Sequence, residues 1–222
     1  MSLLTQWTDI KENINKALAW SNHIISKTPL YIELEYITNT SSGYQYIDTG
    51  FKPNNSTQVS IDISNTDEAA YWFGAWNIAY NNGTYSVCND GDSIYAGYDG
   101  QGGGQGSILA NTSTITTVKL DKNKVYVGST LRTTFNVSTF QVNYNLYLFC
   151  QNRKGTATWK DGGGNHSFKL HGCKIYDNGT LVRDFIPVKK VDNNVVCLYD
   201  KVSKKFFTNT GSGNFIAGPI KS

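Results

Sequence analysis

Few residues in this chain are of a type that could do chemistry. The three histidines are His23, His166 and His171. His23 falls in a helical pattern. His166 and His171 stand five apart in a strand-like stretch, so they cannot reproduce the i,i+4 metal pair of a helix, and no cysteine or carboxylate lies beside them at zinc-like spacing. No Gly-x-Ser-x-Gly elbow marks a nucleophile, and a Ser-His-Asp set drawn from distant positions leaves no mark in a sequence. The glutamates are Glu12, Glu33, Glu35 and Glu68. Glu33 and Glu35 alternate within Tyr31-Ile32-Glu33-Leu34-Glu35-Tyr36, so on a strand they share a face. Glycoside hydrolysis needs two carboxyl groups about 5 to 9.5 Å apart. No third acid follows this pair, and a solvated edge face is its preferred meaning. Asn89-Asp90-Gly91-Asp92 offers oxygen ligands for calcium but lacks the spacing and closing Glu of an EF-hand, and reads as a tight acidic turn. The expectation is no catalytic residue, no metal site and no cofactor, with glycoside hydrolysis the weakest functional reading.

Aromatic residues give the binding signal. Alternation along Tyr71-Trp72-Phe73-Gly74-Ala75-Trp76 puts Trp72 and Trp76 on one side and Tyr71 and Phe73 on the other. Amphipathic rings suit sugar or protein surfaces. The candidate ligand-binding residues are Trp72, Trp76, Tyr95, Tyr98 and Trp159. Phe73 and one of the two tryptophans are expected in the core, and Tyr95, Tyr98 and Trp159, beside glycine-rich loops, at the surface. Stacking on single-stranded nucleic acid needs interleaved basic residues, and residues 71–106 contain no Lys or Arg. Lys+Arg 20 against Asp+Glu 17 leaves +3, too weak a field to steer the chain to nucleic acid or an anionic membrane.

The elements that would hold these residues are strands. A charged fraction of 17% with 21 Gly and 14 Tyr disfavours a helical bundle and disorder. Residues 7 to 26 are the one helical stretch. Trp7, Ile10, Ile14, Ala17 and Ile24, with Ser21 in the gap, are spaced as a heptad seam. Asp9 and Glu12 resemble a capping box, Glu12 and Lys16 form an i,i+4 pair, and Thr28-Pro29 ends the helix. A lone helix this short is marginal in water, so its stripe must be covered by its own domain, by neighbouring copies or by a larger assembly. Leu18, Trp20 and Ile25 widen the stripe. From Leu30 the period becomes two, as in Val59-Ser60-Ile61-Asp62-Ile63. Gly172 shifts the phase and predicts a bulge. Asp177-Asn178-Gly179-Thr180 predicts a type I′ hairpin. Asp121-Lys122-Asn123 and residues 200–204 predict further turns. The stretches 97–106 and 162–164 are rich in glycine and read as surface loops.

Cys88, Cys150, Cys173 and Cys197 form no CxxC pair and read as buried free thiols. No apolar run is long enough to span a membrane, and the first ten residues lack the features of a signal peptide. Sequons such as Asn82-Gly83-Thr84 read as turns. A chain made in a cytoplasm fits.

Several strings resemble a known module: Tyr46-Ile47-Asp48-Thr49-Gly50-Phe51-Lys52-Pro53, Phe73-Gly74-Ala75, residues 145–150, Lys174-Ile175-Tyr176-Asp177-Asn178-Gly179 through Asp184-Phe185-Ile186-Pro187, and residues 198–213. They resemble the laminin-G-like, concanavalin A-like jelly rolls of phage structural proteins and bacterial surface proteins, gut phages above all. The resemblance covers roughly Leu30 to Ser222. It implies an all-β fold, an antiparallel jelly-roll sandwich over 30–222, and roles in display, adhesion or glycan binding. The short N-terminal α-helical segment before it (1–29), read from its own spacing, is expected to anchor or oligomerise the chain. Hydrolytic relatives carry an E-x-D-x-x-E-like motif that this chain lacks, and the calcium ligands of laminin-G relatives do not map onto it. The expected function is a non-enzymatic phage head or tail fibre or decoration protein in the virion, a homotrimer or a partner of other virion proteins, touching host glycans. The alternative is a lectin domain at a bacterial cell surface.

Overall fold

A computed structural model describes residues 3–27, 30–40, 44–67, 70–78, 82–90, 93–107, 113–158 and 167–222. The chain opens with helix α1 (Leu3–Lys27). The strands of its first part are β1 (Tyr31–Glu33), β2 (Ile37–Thr38), β3 (Ile47–Asp48), β4 (Thr57–Ser64), β5 (Tyr71–Ile78) and β6 (Asn82–Asp90). Next come β7 (Ser93–Tyr98), β8 (Gln101–Ser107), β9 (Thr116–Asp121), β10 (Lys124–Val127), β11 (Thr130–Thr134), β12 (Tyr147–Leu148), β13 (Gln151–Arg153) and β14 (Thr156–Thr158). The last are β15 (Lys169–Asp177), β16 (Thr180–Lys190), β17 (Val196–Asp200), β18 (Lys205–Phe207) and β19 (Ile216–Ala217).

These strands form two sheets. The larger runs β11-β10-β9-β4-β15-β16-β17-β18, with β1 on β16, β2 on β15 and β19 on β2. The smaller runs β14-β13-β5-β6-β7-β8, with β12 against β3 and β5. Pairing is antiparallel except between β13 and β5. The all-β character expected from composition is therefore present.

The alternation read along β4 sets which side chains go inside. Val59, Ile61 and Ile63 are buried, and Ser60 and Asp62 face out. Together with Val118, Leu120, Val125 and Ile175 they meet Phe73, Ala75, Tyr85, Val87, Ile94 and Ala96 of the smaller sheet in one core. Each large apolar side chain so buried contributes roughly 1.5–3 kcal/mol. All four cysteines are buried and free.

Local turn chemistry holds where the sequence predicted it. Asn178 (φ 48°) and Gly179 (φ 81°) close the β15–β16 hairpin with both central residues in the left-handed region, the type I′ requirement. The β4–β15 register shifts between Leu170 and Gly172, the predicted bulge.

Two expectations change. The stretch 97–106 is not a loop. It forms the end of β7 and most of β8, joined through Asp99 (φ 45°) and Gly100 (φ 77°). Gly97 and Gly102 serve the close approach of neighbouring side chains. The stretch 162–164 lies outside the described residues. The helix starts at Leu3, four residues before the predicted start, so Asp9 sits inside it and no acidic residue caps its first turn. The Glu12–Lys16 pair forms at 2.7 Å. The helix ends at Lys27, just before Thr28-Pro29.

Candidate functional site

Three features stand outside the core: the helix, the outer face of the smaller sheet, and a cleft on the outer face of the larger one.

Residues 6–20 of α1 are exposed around the whole circumference of the helix. Trp7 is 70% exposed, Ile10 49%, Ile14 54%, Leu18 56% and Trp20 70%. Ala17 is exposed as well, while the side chain of Ile24 lies outside the description. The seam is intact as a pattern, and the core of the two sheets closes without it. Large apolar side chains at such exposure form a patch of the kind that marks an interaction surface.

On the smaller sheet, register places the outward side chains in rows. One row crosses the strands as Gln151, Gly74, Ser86, Gly97 and Gly102. A neighbouring row holds Arg153, Trp76 and Thr84, and the row on the other side holds Tyr71, Cys88 and Tyr95. Gly74 and Gly97 are needed here. A Cβ on Gly74 would stand 2.8 Å from Gln151 Cγ, and one on Gly97 2.7 Å from Thr84 Cγ2. Over this floor of small residues lies Arg153. Its Nε donates to Gln151 Oε1 at 2.7 Å, its Nη2 donates to the Tyr71 hydroxyl at 3.1 Å, and its guanidinium stacks on Trp76 at 4.9 Å. At the other end the ring of Tyr95 leans across Gly102, where a Cβ would run into its hydroxyl. Tyr71, Trp76, Arg153 and Tyr95 are half-buried and form an aromatic and cationic platform.

The sequence-derived ligand residues therefore separate. Trp76 and Tyr95 share this platform. Trp72 and Tyr98 do not: both are buried, and neither offers a ring face to a ligand. A register shift between Tyr71 and Phe73 turns Trp72 inward, so that Tyr71 and Trp76 are the outward pair, contrary to simple alternation. The Trp72 indole N–H donates to Thr66 Oγ1 at 2.9 Å. Tyr98 packs on Phe135 and Phe140 inside the sandwich. Trp159 lies outside the described residues. Arg153 and Gln151 escaped the sequence reading because no local pattern announces a strand pairing parallel to β5.

The cleft on the larger sheet opens at the Gly172 bulge and has a volume of about 320 Å³. Asp62 accepts from the Thr117 hydroxyl at 2.6 Å through Oδ1, and Lys201 pairs with Asp184 at 3.2 Å. His171 lies at its rim, with Nε2 2.9 Å from the buried Ser64 hydroxyl. Burial pushes the His171 imidazole below its ordinary pKa, more than its bond to the Glu35 backbone and the charge of Asp62 raise it. A serine beside a neutral imidazole is the geometry of an activated nucleophile. Ser64 is only 2% exposed, and the histidine satisfies its buried hydroxyl.

The remaining candidates lie apart. Glu33 is tied to Lys221 and Glu35 is exposed. Asn89 spends its amide on Asp67 O and Thr66 Oγ1, and Gly91 and Asp92 lie outside the described residues. Among the described residues no group of three or more His, Cys, Asp or Glu could hold a metal ion, and no helix is long and apolar enough to cross a membrane. No protein-family model matches this chain, and no curated protein matches it.

Proposed function

We propose that this chain is a displayed, non-enzymatic binding module of a virion, a phage fibre or decoration protein. In this reading the two sheets are the laminin-G-like, concanavalin A-like jelly roll that the sequence resembles. The observation that carries the proposal is the exposed seam of α1. A 25-residue helix with isoleucine and tryptophan turned to water stands beside a body whose core is complete without it. The occupant best matched to the seam is the same helix of neighbouring copies. With Trp7 at an a position, Ile10 and Ile14 fall at d and a, and isoleucine at both favours three strands over two. A parallel trimer sets three bodies side by side. The platform of Tyr71, Trp76, Arg153 and Tyr95 then meets host surface glycans three at a time, and linked sites raise apparent affinity about 10²- to 10⁴-fold.

Sedimentation of the full chain tests this. The expected result is a trimer that becomes a monomer when Ile10 and Ile14 are both replaced by Asp, with thermal unfolding of the body unchanged. A wild-type monomer overturns self-association. Mass spectrometry of purified particles tests the virion assignment, and recovery from a bacterial envelope fraction would favour the lectin alternative.

A further inference from the structure

We infer that the cleft at the Gly172 bulge is a binding site for a single neutral sugar ring, separate from the aromatic platform and independent of the oligomeric state. The cleft is about 320 Å³, the lower end of small-molecule sites. Its floor is Gly172. A Cβ there would meet nothing closer than Phe185 O at 3.5 Å and Asp62 Oδ2 at 3.9 Å, so the fold tolerates a side chain at this position and the glycine leaves the space open. Register sets Asp62 opposite Gly172 and Ser60 opposite Lys174. An anionic acceptor, a hydroxyl and an ammonium therefore ring the floor.

Two of these groups have capacity to spare. Asp62 spends Oδ1 on Thr117 and keeps Oδ2 toward the floor. Lys174 is exposed, and among the described residues its ammonium makes no hydrogen bond or ion pair. A carboxylate that accepts two hydroxyl protons and an ammonium that donates to ring oxygens suit the adjacent hydroxyls of a sugar. The side chain of Ile186 supplies an apolar wall for its C–H face. Asp62 and Lys174 balance in charge, as do Asp184 and Lys201, which favours a neutral ligand.

Ligand-observed NMR with the full chain tests this, using glucose, galactose, mannose, fucose and N-acetylglucosamine at millimolar concentration, with free glycine as a control. At least one sugar is expected to bind. Gly172→Ala should abolish binding by filling the floor. Asp62→Asn, which keeps an oxygen for Thr117, should weaken it at least about tenfold through loss of a charge-assisted bond. These variants are also compared in a Tyr95→Ala background, which disables the platform, so that the binding left there and lost with either cleft variant belongs to the cleft. Sugar binding that disappears with Tyr95→Ala but survives both cleft variants overturns this inference and supports the platform alone. Binding of none of the sugars, or of glycine in their place, overturns it outright.

Discussion

The hydroxyl of Tyr85 on the smaller sheet lies 2.6 Å from the carbonyl of Leu120 on the larger one, and 3.0 Å from that of Thr57. The phenol thus crosses the core and shares its proton between two backbone acceptors of the opposite layer. Burial drives its pKa well above the ordinary value. A polar bond inside an apolar core fixes how the sheets sit on each other, because sliding either one strands buried polar groups. Tyr85→Phe keeps the ring and leaves two carbonyls without this donor. We expect a loss of about 1–3 kcal/mol, read as a lower urea midpoint with an unchanged slope. A midpoint equal to wild type would show that the bond contributes nothing.

Asp200 anchors the turn that closes the β17–β18 hairpin. Burial pushes its carboxyl up, but hydrogen bonds from the Asp184, Val202 and Ser203 amides and the Ser203 hydroxyl outweigh that and hold it below the ordinary value. A depressed folded pKa contributes stability above the unfolded value of about 3.9, and that stability is lost as pH falls through the folded pKa. Wild type should therefore lose more stability between pH 5 and pH 2 than Asp200→Asn, which cannot titrate. Urea unfolding at several pH values measures this, and parallel acid limbs would remove Asp200 from the account. Asp200→Ala leaves three backbone amides unmatched and should cost about 2–4 kcal/mol at pH 7.

What was legible in the sequence was local. Asn178-Gly179 encodes its own turn, and the loss of phase at Gly172 encodes its own bulge, because both depend on backbone freedom at one or two residues. The helix seam is equally local, a matter of spacing. The platform was half legible. Trp76 and Tyr95 were chosen as aromatic, but so were Trp72 and Tyr98, and the bulge that separates the tryptophans carries no residue signature. The glycine-rich stretch 97–106 reads as a loop in isolation. It is a strand pair because Tyr95, Thr84 and Ser86 need bare backbone beneath them. Ser64 and His171 are 107 residues apart, and only the fold brings them together. The string around Asp200 holds a turn, through bonds from the Asp184, Val202 and Ser203 amides.

The buried thiols predict alkaline sensitivity. Burial raises Cys150, Cys173 and Cys197, the last to about 11. An unfolded thiol titrates near about 8.5, so the unfolded chain releases its protons first. The stability these groups contribute is complete below that value and is lost as pH rises toward the folded pKa values. Native protein at pH 8 should resist an aromatic disulfide reagent that labels all four cysteines in denaturant. Cys197→Val should flatten the decline in stability between pH 8 and pH 10.5. Rapid labelling of native protein would contradict the burial on which both expectations rest.

Gly102 decides whether Tyr95 lies flat. Its missing side chain is the space that the phenol end of Tyr95 occupies, and that phenol is the far end of a mobile side chain. Gly102→Ala should therefore leave the fold standing, with a stability change under about 1 kcal/mol, while forcing the ring to swing away from the sheet. A tilted ring presents an edge where a sugar needs a face, so glycan-array binding by the platform should fall as far as it does in Tyr95→Ala. Trp76→Ala should weaken it too, and should also release the Arg153 guanidinium stacked on that indole. Full binding by Gly102→Ala, with Tyr95 shown by NMR to have moved, would mean that the flat ring plays no part in recognition.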